Sequence, residues 1–291
     1  MSRPRRSGQG SRWQVPEGRL VVCATPIGNL DDSSDRLRYA LREADVVYAE
    51  DTRRTGKLLR HLGATPSVRS LFEGNEAKRT DELIADLRAG KTVVLVSDAG
   101  MPTVSDPGAR AVARAHEEGL TVTVVPGPSA VTSAITLAGF GGDRFVFEGF
   151  LPRKGEVRAR RLAEIAGDER PVVLFASPNR LIDDLRDLET HLGGKRRVAV
   201  ARELTKLHEE IWVGTLSDAV ARWGGEIKGE VTLVVEGGAP IELSQSQAVA
   251  LARSMIAEGH SLSEAARRAA EDTGVARRAI YQVLLSDQGV S

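Results

Sequence analysis

The chain has 291 residues, 41% of them hydrophobic, enough to bury two compact cores and a small appendage. Forty Lys and Arg balance forty Asp and Glu, so net charge does not mark a nucleic-acid binder, and any such surface must be local. Aromatics at 4% exclude a stacking platform for single strands, and the single cysteine excludes a disulfide framework within the chain.

Residues 1–18 are polar, carry Arg3, Arg5, Arg6 and Arg12, and lack the apolar core of a secretory signal. Met1–Pro16 is expected to be a disordered basic arm, either a solvated tail or one drawn to RNA phosphates. No run is long and apolar enough to span a membrane, and the lone Cys23 fits a reducing, cytoplasmic setting.

Apolar β-rich runs at Leu20–Ala24, Val46–Ala49, Val68–Ser70, Thr92–Val96 and Thr121–Val125 then alternate with helical patterns. The helices are expected at Asp35–Ala44, Thr52–Leu62, Asn75–Ala89 and Pro107–Glu118. That alternation predicts an α/β domain over 19–128 with a mostly parallel sheet. Cys23 sits inside the first run as a small core residue.

A second mixed α/β domain is expected over 129–238. Its strands fall near Phe145–Glu148, Val172–Ala176, Arg197–Ala201, Ile211–Gly214 and Val231–Glu236. Its helices fall at Glu156–Ile165, Asn179–His191 and Leu216–Trp223. Residues 239–291 read as a helix-turn-helix-like appendage, with a capping box at Ser261 and Glu264 and a stop at Gly274. Arg267, Arg268, Arg277 and Arg278 cluster about its turn, as a solvated face or as phosphate contacts.

Three strand ends of the first half carry Pro, Gly and small hydroxyls, at the end of an open sheet where ligands bind. They are TPIGNLDDSSDR at Thr25–Arg36, SDAGMPTVSDPG at Ser97–Gly108, and PGPSA at Pro126–Ala130. In the second loop Asp106 is expected as the N-cap and Pro107 as the first residue of the next helix. Ser129 is expected to cap the helix after the third. Together the loops suggest one cleft with a smooth backbone floor.

No GxGxxG follows a strand, no GxxxxGK[ST] or GxSxG occurs, and the five histidines are scattered. The chemistry is therefore expected to use neither metal nor a covalent enzyme intermediate.

Those three loops occur in order with ADVVYAEDTRRT at Ala44–Thr55, GFLPRK at Gly149–Lys154 and RELTKLHEE at Arg202–Glu210. Together they resemble the ribosomal RNA small subunit methyltransferase I family, within the tetrapyrrole-methylase fold, over roughly Arg19–Gly237. The resemblance implies S-adenosylmethionine-dependent methylation of a cytidine ribose 2′-oxygen in the decoding region of 16S ribosomal RNA. It also implies a homodimer acting on that RNA or on the small ribosomal subunit. One departure is SPNRL at Ser177–Leu181, with Asn179 where a proline-histidine-arginine run is expected.

On this reading Pro26, Asp98, Gly100, Ser129 and Ala130 are the expected cofactor contacts. Asn29, Arg53, Arg54, Lys154, Arg202 and Lys206 are the expected RNA contacts. A ribose hydroxyl needs a base, for which Glu203, Lys206, Glu209 and Glu210 are candidates, with Asp98 and Glu50 beside them. Two alternatives stay open: a tetrapyrrole or other small-molecule methylase of the same fold, and a non-catalytic RNA-binding assembly factor.

Overall fold

A computed structural model describes residues 18–225, 227–238 and 244–287, so the arginine-rich arm lies outside the described residues. The first sheet contains β1 (Arg19–Cys23), β2 (Val46–Ala49), β3 (Ser67–Ser70), β4 (Val93–Val96) and β5 (Thr121–Val125). Its order is β3-β2-β4-β1-β5 and every pair is parallel. Helices α1 (Asp35–Glu43), α2 (Thr52–Leu62), α3 (Glu76–Arg88) and α4 (Ala109–Glu117) provide the crossovers. The continuous apolar runs are the consequence of burial on both faces: Val93, Val94, Leu95 and Val96 are each at most 2% exposed. Each such side chain contributes about 1.5–3 kcal/mol when withdrawn from water. Cys23 is buried and unpaired, and burial pushes its thiol up to about 12.

The chain crosses to the second sheet through α5 (Ala130–Ala138). That sheet is built from β6 (Val146–Phe150), β7 (Val172–Ala176), β8 (Arg197–Arg202), β9 (Glu210–Thr215) and β10 (Val231–Val235), in the order β6-β7-β10-β8-β9. Only β6 and β7 run parallel; the other pairs are antiparallel, giving the mixed sheet. Helices α6 (Glu156–Gly167), α7 (Leu181–Leu192) and α8 (Leu216–Arg222) complete this half. One apolar cluster joins α5 to the new sheet and to the first-sheet loops, through Ile27, Ile135, Val173, Ala199 and Val234.

A second unit comprises Gly167–Arg170 and the chain from Gly237. Its helices α9 (Gln245–Ala257), α10 (Leu262–Thr273) and α11 (Arg277–Asp287) close around Ala252, Ala265, Ala269, Ile280 and Leu284. Gly274 ends α10 in the left-handed conformation (φ 71°).

Several local expectations change. Helix α4 is capped by Gly108 (φ 120°), not Asp106, and begins at Ala109 rather than Pro107. Gly108 donates its N–H to Glu76 (2.8 Å), while the Asp106 carboxylate turns to the Ser97 hydroxyl. Ser129 occupies the N-cap position of α5 but makes no side-chain capping bond. Ser261 accepts the Glu264 N–H at 3.3 Å, yet the Glu264 carboxylate serves Arg267 and Arg268 instead of closing a capping box. Asn179 lies exposed in a 3-10 turn, Pro178–Arg180, that precedes α7.

Candidate active site

The loop after β1 is tied to the loop after β4 by a two-way backbone bridge. Thr25 donates to the Gly100 carbonyl at 2.8 Å, and Gly100 donates back at 3.1 Å. The Thr25 hydroxyl also reaches the Ser97 carbonyl at 3.2 Å. Against this frame sits the loop that follows β8: Asn29 donates its N–H to the Thr205 hydroxyl at 3.0 Å.

Two segments here hold unusual backbone. Thr103 (φ 74°), Ser105 (60°), Glu203 (52°) and Thr205 (64°) are the non-glycine residues with left-handed backbone among the described residues. Each costs about 1–3 kcal/mol and persists only where neighbours enforce it, a pattern concentrated at functional sites.

Two cavities open between these loops. The first, of about 380 Å³, has apolar walls that include Ile27, Val104, Phe150 and Phe175. Gly100, Ser129 and Ala130 bring backbone and a hydroxyl to it, and Asp106 and Glu230 are its titratable groups. Burial and the Glu50 carboxylate push the Asp106 carboxyl up to about 6, with Asp98 and Glu230 adding to the effect and the Ser97 hydroxyl opposing it. Gly100 has φ 78°, and a Cβ there would stand 3.3 Å from Ile27 Cγ2 and 3.6 Å from the Pro128 carbonyl.

The second cavity, of about 420 Å³, is cationic: Arg54, Lys57 and Lys206 line it together with Pro26, Ser97 and Asp98. Three residues line both cavities, namely Ile27, Ala99 and Glu230.

The structure therefore separates the expected cofactor contacts. Gly100, Ser129 and Ala130 face the apolar cavity, whereas Pro26 and Asp98 face the cationic one. Asp98 accepts the Asp51 N–H at 2.9 Å and pairs with Arg54 at 3.5 Å. Of the expected RNA contacts, Arg54 and Lys206 are brought together. Arg53 bends back onto Asp51 (2.8 Å), which holds that carboxyl down to about 2. Asn29 spends its side chain on the Asp31 N–H (3.0 Å), and Lys154 stands exposed after β6. Arg202 is held by Glu210 at 3.1 Å, outside both linings.

The base candidates are mostly engaged elsewhere. Arg222, with Arg202 behind it, holds the Glu210 carboxyl below its usual range. Glu209 accepts the Thr205 N–H at 2.6 Å. Burial would raise Glu203, but Lys206 and the Glu230 N–H outweigh it and hold its carboxyl low. Lys206 donates to Glu203 at 2.7 Å and to Glu230 at 3.1 Å. Burial opposes the charge on Lys206, but those two carboxylates outweigh it and raise its pKa, so it stands as an ammonium. Burial, with Asp98 nearby, raises Glu50.

Residues 19–220 match the family model described as Tetrapyrrole (Corrin/Porphyrin) Methylases, and residues 242–288 match one described as RsmI C-terminal HTH domain. The chain is 44% identical to the ribosomal RNA small subunit methyltransferase I of Synechocystis sp., over 92% of this chain and 98% of that one. It belongs to that family. The Mycobacterium tuberculosis member is 45% identical over 94% of this chain and 97% of its own length. The fold is also that of uroporphyrin-III C-methyltransferase from Thermus thermophilus, solved with S-adenosylhomocysteine. The TM-score is 0.55 at 19% identity, over 75% of this chain and 96% of that one.

Sequence reasoning missed Glu230, Asp106, Lys57, Phe150 and Phe175 as cavity residues. The two phenylalanines sit within strands, where aromatic side chains signal core rather than lining. Lys57 had a signal: it lies one helical turn from Arg54 on α2.

Proposed function

We propose that this protein transfers a methyl group from S-adenosylmethionine to the 2′-oxygen of a cytidine ribose in the decoding region of 16S ribosomal RNA. The family relatives carry the ribosomal RNA assignment in their names, and the carrying observation from the site is the pair of unlike cavities meeting at Ile27, Ala99 and Glu230. The apolar cavity suits an adenosine with a short polar tail, because its walls are aliphatic and aromatic while Gly100 and Ser129 expose backbone and hydroxyl. The cationic cavity suits RNA, since Arg54, Lys57 and Lys206 can meet phosphates.

S-adenosylmethionine supplies an already activated methyl group when bound. The chain's own work is then alignment and proton removal. Positioning alone can supply about 7–11 kcal/mol of a barrier in favourable cases. The bridge between Thr25 and Gly100 fixes the wall that both cavities share. The strained 203–206 loop fixes Lys206 opposite it, between two carboxylates. An ammonium so placed can hold the ribose-phosphate backbone, leaving the proton to another group.

The enzyme works in the bacterial cytoplasm, on the small ribosomal subunit or its RNA, as a homodimer. Among the described residues no helix is long and apolar enough to cross a membrane. Ribosomal RNA is favoured over a tetrapyrrole by the names of the relatives at 44–45% identity, since Arg54, Lys57 and Lys206 would suit either polyanion.

Calorimetric titration with S-adenosylmethionine, followed by tritiated methyl transfer to small subunits lacking the modification, tests this reading. Binding with label in 16S ribosomal RNA supports it. Binding without transfer to any RNA would favour the assembly-factor alternative.

A further inference from the structure

Resting on the reading above, we propose that Glu230 is the group that takes the ribose hydroxyl proton. Glu230 is the single titratable side chain that lines both cavities among the described residues. A methyl group leaving one cavity for a nucleophile in the other must cross where they meet. Glu230 is the carboxylate at that junction.

Its local geometry suits the task. The backbone of Glu230 is locked against Glu203 in both directions. Glu203 donates its N–H to the Glu230 carbonyl at 2.8 Å, and Glu230 donates its own to Glu203 Oε1 at 2.9 Å. Lys206 holds Glu230 through Oε2 at 3.1 Å, which leaves Oε1 without a hydrogen bond among the described residues. With its side chain 58% exposed, Glu230 can pass an acquired proton to water.

Competing groups are worse placed. Lys206 is an ammonium held by two carboxylates, without a lone pair to accept a proton. Asp98 lines the cationic cavity alone and spends its oxygens on the Asp51 N–H and Arg54. Asp106 lines only the apolar cavity. Glu203, Glu209 and Glu210 line neither.

The step balances simply. The ribose O–H bond breaks and its proton passes to Glu230, while the ribose oxygen forms its new bond to carbon as the carbon–sulfur bond breaks. The sulfonium charge disappears, a neutral thioether leaves, and Glu230 then returns its proton to solvent. A positioned base of this kind contributes about 10²–10⁴-fold.

The test is single-turnover methyl transfer to 16S ribosomal RNA by wild type, Glu230→Gln and Glu230→Asp, with calorimetric cofactor affinity beside each. The charged groups facing Glu230 are Lys206 and Glu203 from the loop after β8, Asp98 and Asp106 from the loop after β4, and Arg54 and Lys57 from α2. All are retained in every variant, but Glu230→Gln removes one of the charges that raise Asp106, so profiles are compared above about pH 7, where Asp106 is ionised in every variant. Expected is a loss of about 10²–10⁴-fold in Glu230→Gln with cofactor affinity kept, and partial recovery in Glu230→Asp. The Gln rate should then climb about tenfold per pH unit as hydroxide takes over, where wild type is level. A Gln variant within about threefold of wild type would overturn the assignment, given the size of effect a base supplies. So would a slow variant with the wild-type pH profile, which would make Glu230 a positioning residue, or one that no longer binds cofactor. If wild type itself transfers no methyl group to 16S ribosomal RNA, the underlying functional reading fails instead.

Discussion

Gly28 and Lys206 lie so close that a Cβ on Gly28 would stand 2.5 Å from Lys206 Cγ, with the Leu204 carbonyl at 2.8 Å. The first strand's loop and the 203–206 loop are therefore seated on each other through a missing side chain. Gly28→Ala should force backbone apart, because a carbonyl cannot rotate away as a side chain can. A stability loss of about 1–3 kcal/mol is expected, the usual cost of overpacking. Turnover on RNA should fall more than cofactor affinity. Thermal melting together with calorimetry checks both halves.

Gly100→Val should abolish S-adenosylmethionine binding while the protein stays folded. Its φ of 78° disfavours any side chain, and Ile27 and the Pro128 carbonyl already crowd the Cβ position. Unchanged affinity in calorimetry would remove this loop from the cofactor's cavity.

Asp106 supplies a pH dependence with a definite sign. Its folded pKa of about 6 lies above the ordinary aspartate value, so the folded protein holds the proton more tightly. Stability from this group is present below the unfolded value and is lost as pH rises from about 4 to about 6. Asp106→Asn should flatten denaturant-unfolding stability over that window. The ionised carboxylate should also favour a cationic ligand, so S-adenosylmethionine affinity should weaken as pH falls through about 6 in wild type and not in the Asn variant. Identical pH profiles for the two proteins would place Asp106 outside the cavity's electrostatics.

The elements were legible because strands buried on both faces must be almost wholly apolar, whether parallel as Val93–Val96 or antiparallel as Val231–Val235. The site was legible only where loops carried glycine and small hydroxyls, as at Gly100 and Ser129. Asp106 read as a helix cap because Asp-Pro before an amphipathic helix usually is one; Gly108 displaced it. Glu230 gave no local signal. It follows a glycine at the start of an apolar strand, and its partner Lys206 is 24 residues away in sequence. Pro26 and Asp98 share loops with residues of the apolar cavity, yet those loops have two faces and present them on the other.

The C-terminal helices should add less to RNA binding than their arginines suggest. Arg267 is paired with Glu264 and Glu271, and Arg268 with Glu264, which leaves Arg277 on Ser263 and Arg278 exposed. Truncation after Gly238 should leave cofactor affinity unchanged and reduce the salt slope of RNA binding by only about 1–2, as two arginines would. A filter-binding series over salt concentration decides it; a larger drop would mean the pairs open on RNA.

The division of labour between the cavities is tested further by Arg54→Ala and Lys206→Ala. Both should weaken RNA-dependent turnover while leaving S-adenosylmethionine affinity nearly unchanged in calorimetry. A loss of cofactor affinity as severe as that of Gly100→Val would mean the two cavities bind one ligand.

The most direct measurement is the identity of the methylated nucleoside. After one turnover on unmodified small subunits, digestion of the 16S ribosomal RNA and mass spectrometry should give 2′-O-methylcytidine, with the methyl on the ribose fragment. A methyl group on a base, or label confined to a tetrapyrrole with none in RNA, would contradict a ribose oxygen entering the cationic cavity beside Glu230.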